Sequence, residues 1–379
     1  MDRPTQSVEA SASITEKEID RLRARIGSEI QAPPPFVSRA TPDSIRNWTL
    51  GIGDANPLWT DENYAARGPH GGLVAPPSML YAFDRRASGG GGGLPGVHAM
   101  FAGTSWSWTV PVRLGDELSV RAVLHDVIVH RSRFAGTSVQ QVSEVTFSRS
   151  DGTPVGVCHP YSFRVGRSAA REKAKYKSRP LTPYTSSELA EIWDQVVSEK
   201  VRGSEPRYWD DIKLGESIDT IVRGPLTISD IIVFIRGWGG LYLRSHADWI
   251  RWYRRHPAGG VVNEFGVPES PERVHWDEDF AKVVGVPGAY DYGPQRISWI
   301  INSVTNWIGD NSWLSLCEVR LLRHVLVGDV VWCSGVVSSK HLNDQRQGTV
   351  QLSLFAHNQR HELVAEGSAE VLVPQRSQA

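Results

Sequence analysis

The chain has 379 residues, of which 40% are hydrophobic and 22% charged. These values predict globular cores and, at roughly 100–200 residues per domain, about two domains. The formal net charge of −1 gives no general reason to expect nucleic acid or an anionic membrane as a partner. The polar N-terminus and the lack of an apolar run of about 18 residues predict a cytoplasmic protein without a signal peptide or membrane span.

The three cysteines exclude two common kinds of small structural site. Cys158, Cys317 and Cys333 are widely spaced and form no C-x-x-C pair. The sequence therefore predicts neither a zinc knuckle nor a disulfide framework.

Four segments are predicted in chain order. Residues 1–35 comprise a tail and a short helix that Thr15 caps and a proline run ends. Residues 36–167 form a first folded half, and residues 168–207 form a linker with a basic stretch and a short helix near residues 187–200. Residues 208–374 form the second half.

The two halves repeat one order of features. Each opens with a helix-like segment and continues through a loop to a new helix, which starts near Pro76 or Gly293. A Gly-Asp phrase follows in each half, at Gly115 and at Gly328, and alternating β-branched runs come after it. Each half therefore predicts one substantial helix followed by antiparallel strands, an α+β layout in which the helix packs on a curved sheet.

Two motifs carry the chemistry. The first half contains Asp54-Ala-Asn56-Pro-Leu-Trp59-Thr-Asp, and the second contains His275-Trp-Asp277 followed by a glycine- and proline-containing turn that ends in Tyr292 and Gly293. With the shared Gly-Asp phrases, these residues resemble the MaoC-like family of double-hotdog enoyl-thioester hydratases and dehydratases. The resemblance covers most of residues 36–374 and implies two hotdog folds in one chain.

The family signature is G-D-x-N-P-x-H-x-D, followed by a turn and the long hotdog helix. The resemblance implies that the Asp and His hold a water molecule and that a backbone N–H at the helix start meets the thioester oxygen. Such an acid/base pair adds water to, or removes it from, an α,β-unsaturated thioester. The implied substrates are acyl-CoA or acyl-carrier thioesters, and no metal or cofactor is expected.

The halves depart from this signature in different ways. The first half keeps Asp54 and Asn56 but has Trp59 at the His position. These two polar residues either hold a turn or contact substrate. Because the His is missing, we expect the first half to accommodate the acyl chain and not to catalyse the reaction.

The second half keeps His275 but lacks G-D-x-N-P before it, because an insertion of roughly residues 243–271 intervenes. The catalytic acid partner is therefore open between Asp277 and Asp248, the latter within a second His-x-Asp in the insertion. Asp277 is alternatively a helix cap.

The start of the second long helix offers three more candidates. Gly293 is either the donor of the N–H to the thioester oxygen or an ordinary turn residue. Arg296 either pairs with a substrate carboxylate or forms a structural salt bridge, and Tyr292 is a further substrate-binding candidate.

Three functions are compatible with these residues: a hydro-lyase with His275 as its base, a non-catalytic acyl-binding partner subunit, and a hotdog thioesterase. The thioesterase is disfavoured because the second helix has no carboxylate near its start, and Asp84 lies far along the first. The sequence leaves open whether two chains form a homodimer.

Overall fold

The structure is a computed structural model that describes residues 14–31, 34–89, 93–94, 98–132, 136–165 and 183–376. The predicted tail at residues 1–12, the basic stretch Arg171–Arg179 and most of the glycine run Gly89–Gly93 lie outside these ranges. Within the described residues, no helix has the length and apolar character needed to cross a bilayer.

The helices begin where the sequence supplies capping side chains. Thr15, Thr41, Thr185 and Thr227 each accept a hydrogen bond from the backbone N–H three residues later, which satisfies a free helix donor. The helices are α1 (Glu16–Arg23), α2 (Pro42–Ile52), α3 (Glu62–Ala66), α4 (Leu80–Phe83), α5 (Ser186–Val197), α6 (Ile228–Trp238), α7 (His246–Arg255), α8 (Glu278–Val283) and α9 (Gly293–Ile308).

Two strand groups, one in each half, form a single antiparallel sheet of nine strands in the order β2-β3-β4-β1-β8-β11-β10-β9-β5. The halves join at its centre, where Gly103–Ser107 pair with Leu316–Arg320. The strands are β1 (His98–Trp108), β2 (Leu118–Ser132), β3 (Gly136–Arg149), β4 (Pro154–Val165), β5 (Ile221–Arg223), β6 (Val261–Val262), β7 (Pro268–Glu269), β8 (Trp313–Leu321), β9 (Val331–Leu342), β10 (Gly348–Asn358) and β11 (Leu363–Val373), with β6 and β7 forming a separate hairpin in the insertion.

The predicted duplication is visible in individual hydrogen bonds. The Gly115 N–H donates to the Ala40 carbonyl, and the Gly328 N–H donates to the Leu226 carbonyl, both at 2.7 Å. The two glycines have φ of +90° and +93°, a left-handed conformation that glycine adopts without a Cβ penalty. The Gly-Asp phrase is thus the same turn in both halves, and the duplication is confirmed.

Helices α2 and α6 pack against each other through glycines. A Cβ on Gly51 would lie 2.9 Å from the Phe234 backbone, and one on Gly237 would lie 2.6 Å from the Asn47 carbonyl oxygen. This reciprocal contact brings the two halves together on the helical side of the sheet.

The central helices of the two halves differ. Helix α9 is almost entirely buried over its 16 residues, as predicted for a hotdog helix. The prediction of a substantial helix in the first half is wrong: the segment from Pro77 to Ser88 alternates short 3₁₀ and α turns. Asp84 breaks it, because its backbone is extended (φ −151°, ψ 120°) and its side chain caps the next turn.

Candidate functional site

Two capping aspartates establish which positions of the halves correspond. Asp61 accepts from the Tyr64 N–H at the start of α3, and Asp277 accepts from the Phe280 N–H at the start of α8. Counting back two residues from each cap, Trp59 in the first half corresponds to His275 in the second. The structure thus supports the alignment on which the sequence motif rests.

His275 is a buried imidazole in a fixed orientation. It ends the 3₁₀ helix Pro271–His275, and its ring stacks on Tyr292 with centroids 3.7 Å apart. Its Nδ1 lies 2.8 Å from the Tyr290 carbonyl oxygen, and since a carbonyl can only accept, Nδ1 donates. Burial lowers the pKa of His275 to about 4. The ring is therefore neutral near pH 7, with Nε2 as a hydrogen-bond acceptor.

A buried carboxyl, Glu272, lies three residues before His275. In a 3₁₀ helix, residues three apart share one face. Its Oε2 accepts from the Tyr292 hydroxyl at 2.8 Å, and its Oε1 accepts from the Tyr242 backbone N–H. Burial raises the pKa of Glu272. Glu272 was not among the residues predicted from the sequence, where its spacing from His275 was the only signal for it.

The start of helix α9 offers a backbone donor. Among the described residues, none accepts a hydrogen bond from the Gly293 N–H, as is usual for the first residue of a helix. A Cβ on Gly293 would lie 2.4 Å from the Phe101 ring and 2.8 Å from Leu321, so only glycine allows this close packing. Nearby, the Gln295 side-chain oxygen is buried, and none of the residues that the structure describes hydrogen-bonds it.

Neither aspartate proposed as the acid partner is oriented for that role. Asp277 caps α8, which is the alternative role considered for it in the sequence analysis. It also forms a salt bridge with Arg273 at 2.5 Å. Asp248 lies on α7, its side chain is 70% exposed, and it pairs with Arg244. A solvent-exposed carboxylate is not a partner for the buried His275.

Arg296 forms a structural salt bridge, the second of the two roles considered for it from the sequence. Its guanidinium forms a buried pair with Asp291, with Nη2 2.5 Å from Oδ1, and it also donates to the carbonyls of Arg323 and Val364. It therefore fixes the segment that leads into α9. The Tyr292 hydroxyl is likewise bonded within the protein, to Glu272.

The first-half motif forms a turn beside an apolar pocket. Asp54 accepts from the Asn56 N–H, and Asn56 in turn caps Leu58 and donates to the Asp310 carboxylate at 2.9 Å. The pocket is lined by Trp59 together with other residues of both halves, mostly apolar: Leu58, His70, Val74, Leu80, Val110, Ile308 and Trp313 among them.

The raised pKa of Asp54 predicts how the unfolding free energy depends on pH. Burial raises its pKa to about 6, so between about pH 4 and 6 the folded protein keeps a proton that the unfolded chain has released. This contribution to stability is lost as the pH rises through 6. We expect the unfolding free energy of Asp54→Asn to rise relative to wild type by on the order of 3 kcal/mol between pH 4 and pH 7.5. Urea denaturation at both values measures it, with Asp43→Asn as the exposed control; equal pH dependence in wild type and Asp54→Asn would contradict the assignment.

Comparisons with known proteins agree with this architecture. A family model described as "FAS1-like, dehydratase domain region" matches residues 25–156, from the end of the N-terminal segment through most of the first half. A UPF0336 protein of Parafrankia sp. is 34% identical over 142 residues, which cover 32% of this chain and 89% of that protein. A solved structure named MaoC-like dehydratase has a TM-score of 0.66 at 18% identity and covers 93% of this chain and 100% of that chain.

The chain belongs to the MaoC-like dehydratase family. The predicted fold, α+β with two hotdogs in one chain, is confirmed by the structural similarity along almost the whole chain. A further relative, the 3-hydroxybutyryl-CoA dehydratase of Methylorubrum extorquens, is 33% identical over 81 residues, 21% of this MaoC-like chain and 50% of that protein.

Proposed function

We propose that this MaoC-like protein is a hydro-lyase that interconverts an α,β-enoyl thioester and a 3-hydroxyacyl thioester. One observation carries the proposal. His275 donates Nδ1–H to the Tyr290 carbonyl, which leaves a neutral Nε2 as a base in the second half. The dehydratase names of the family model and of the Methylorubrum relative support this reaction class.

In the hydration direction, Nε2 of His275 takes a proton from water as the oxygen bonds to Cβ. The Cα=Cβ electron pair then moves toward the thioester, whose oxygen becomes an enolate. The Gly293 N–H, at the positive end of helix α9, stabilises that oxygen. A proton delivered to Cα completes the addition of one water molecule.

Glu272 supplies that proton in this scheme, and exchange with solvent then removes the proton from His275 and returns one to Glu272. Burial raises the pKa of Glu272, and its position three residues before His275 in the same 3₁₀ helix supports a role beside that base. We therefore propose Glu272 as the general acid, in place of Asp248 or Asp277.

Replacement of Glu272 by glutamine is expected to lower kcat for hydration by roughly 10²-fold or more, the usual contribution of a positioned general acid. The amide keeps the acceptor for the Tyr242 N–H but cannot transfer a proton. The enoyl absorbance of crotonyl-CoA and longer enoyl-CoA esters reports the rate. Glu278→Gln, on an exposed carboxylate of α8, is the matched control. Equal kcat in the two variants would remove Glu272 from the mechanism.

The substrate is an acyl-CoA or acyl-carrier thioester in this proposal. The first-half pocket, apolar and with Trp59 at the position that corresponds to His275, accommodates an acyl chain without performing chemistry. We infer that residues 36–167 serve binding and residues 208–374 serve catalysis.

A second candidate is acyl binding without turnover, alone or as a partner subunit. It is favoured by the loss of the family Asp before His275 and of the His at Trp59. Tight acyl-CoA binding with no product would support it. A thioesterase is less well supported, because Asp84 is held in a buried pair with Arg86 and is not free to activate water.

A further inference from the structure

Two histidines and a glutamate meet on the outer face of the first-half sheet. Glu144 on β3 and His159 on β4 face away from the core, because their chain neighbours Val145 and Cys158 are completely buried on the other face. The side chains of Glu144 and His159 are 31% and 36% exposed. This group is independent of the His275 site and of the function proposed for it.

A bulge brings the third side chain to the same place. The pairing of β2 with β3 shifts register between Leu124 and Asp126, which leaves His125 as the extra residue. Bulges of this kind redirect a side chain. As a result His125 lies beside Glu144, although Val123 is the residue paired with Glu144 in the ladder.

The spacing of the three groups fits a metal ion. Glu144 Oε2 is 3.4 Å from His159 Nε2 and 3.8 Å from His125 Nδ1, and the ligand atoms of all three residues lie within 4.8 Å of one another. Ligands of a tetrahedral zinc ion, at about 2.0–2.1 Å from the metal, lie roughly 3.3 Å apart. Small rotations of these partly exposed side chains reach that geometry.

The surroundings favour a cation. His159 borders a groove on the same face that is also lined by the carboxylates of Glu318 and Glu370. Among the described residues that line this groove, none is a lysine or an arginine. The fixed charges that line this groove are therefore negative.

We propose that His125, Glu144 and His159 bind one divalent transition-metal ion, with Zn²⁺ the best match. Two imidazole nitrogens and one carboxylate oxygen are a donor set that suits Zn²⁺ and similar ions, whereas Mg²⁺ and Ca²⁺ prefer oxygen ligands. Water completes the coordination on the solvent side. The ion ties together β2, β3 and β4.

Calorimetric titration of the tag-free, chelator-treated protein with ZnCl₂ tests this site. We expect one Zn²⁺ per chain, and binding weakened by more than about 10-fold in His159→Ala and in Glu144→Gln. His130→Ala, an exposed histidine on β2 that hydrogen-bonds Gln140, should bind as wild type does. Circular dichroism verifies that each variant is folded, and MgCl₂ should give no binding.

Two results would overturn the proposal: no Zn²⁺ binding by the wild-type chain, or binding that His159→Ala and Glu144→Gln leave unchanged. In the first case the three side chains form only a hydrogen-bonded cluster, and in the second the ion binds elsewhere. A crystal soaked in Zn²⁺ then provides the direct check, because anomalous scattering should place the ion between the two histidines.

Discussion

The His275→Ala variant is expected to lower kcat for enoyl-thioester hydration by roughly 10²–10⁴-fold, the range for loss of a positioned acid/base group. The physical reason is that the Tyr290 carbonyl orients the His275 ring, whose Nε2 serves as the base in the proposed reaction. The substitution leaves the apolar pocket unchanged, so KM should change far less than kcat. Initial rates over a series of enoyl-CoA concentrations measure both constants.

Two controls make this result specific. His341→Ala, on an exposed stretch of β9, should retain full activity. His70→Ala, at the first-half pocket, should alter KM more than kcat. If hydration survives in His275→Ala and is lost in His70→Ala, the chemistry lies in the first half and the division of roles is reversed.

The lowered pKa of His275 predicts how kcat/KM depends on pH. Since the pKa of His275 is lowered to about 4, its neutral form persists well below the ordinary histidine range. Protonation of this base should therefore not reduce kcat/KM between pH 6 and 8. A decline centred near 6.5, the ordinary value, would show that a solvated histidine serves as the base instead.

The largest expected effect on stability comes from the Asp291–Arg296 pair. Both side chains are almost fully buried, at 0% and 3% exposure. Removal of one partner leaves an unpaired buried charge, which costs about 3–5 kcal/mol. Arg296→Met should therefore lower the unfolding free energy by that amount in urea denaturation.

The double variant Asp291→Leu with Arg296→Met should recover part of this loss, because burial alone already raises the pKa of Asp291 and an apolar pair escapes that desolvation cost. Arg46→Ala breaks an exposed pair with Asp43 and should cost less than about 1 kcal/mol. A stable Arg296→Met protein with a raised KM would contradict the structural role and favour a contact with substrate.

Local signals in the sequence predicted much of the fold. The Gly-Asp phrases at Gly115 and Gly328 depend on neighbours a few residues away, so their repeat could be identified from the sequence. The matching order of such features in the two halves predicted the duplication. The broken first helix could not be predicted, because Arg86, the buried partner of Asp84, is held by the carbonyls of Ile30 and Val120, which are distant in sequence.

The site was predicted only in part. His275 and the start of α9 came from the family motif, and the corresponding Asp61 and Asp277 caps support that alignment. The proposed acid, Glu272, could not be predicted from the signature, which places the acid five residues before the histidine and not three. Its contacts with Tyr242 and Tyr292 join segments 20 or more residues apart, and these depend on how the insertion folds.

The central claim is that the isolated chain turns over an enoyl thioester at its second half. Mass spectrometry after incubation of purified wild type and His275→Ala with enoyl-CoA esters of increasing length tests it most directly. We predict that wild type yields the 3-hydroxyacyl-CoA, heavier by one water molecule, and that His275→Ala yields little or none. Tight enoyl-CoA binding by wild type with no product at any chain length would contradict the claim and identify an acyl-binding protein.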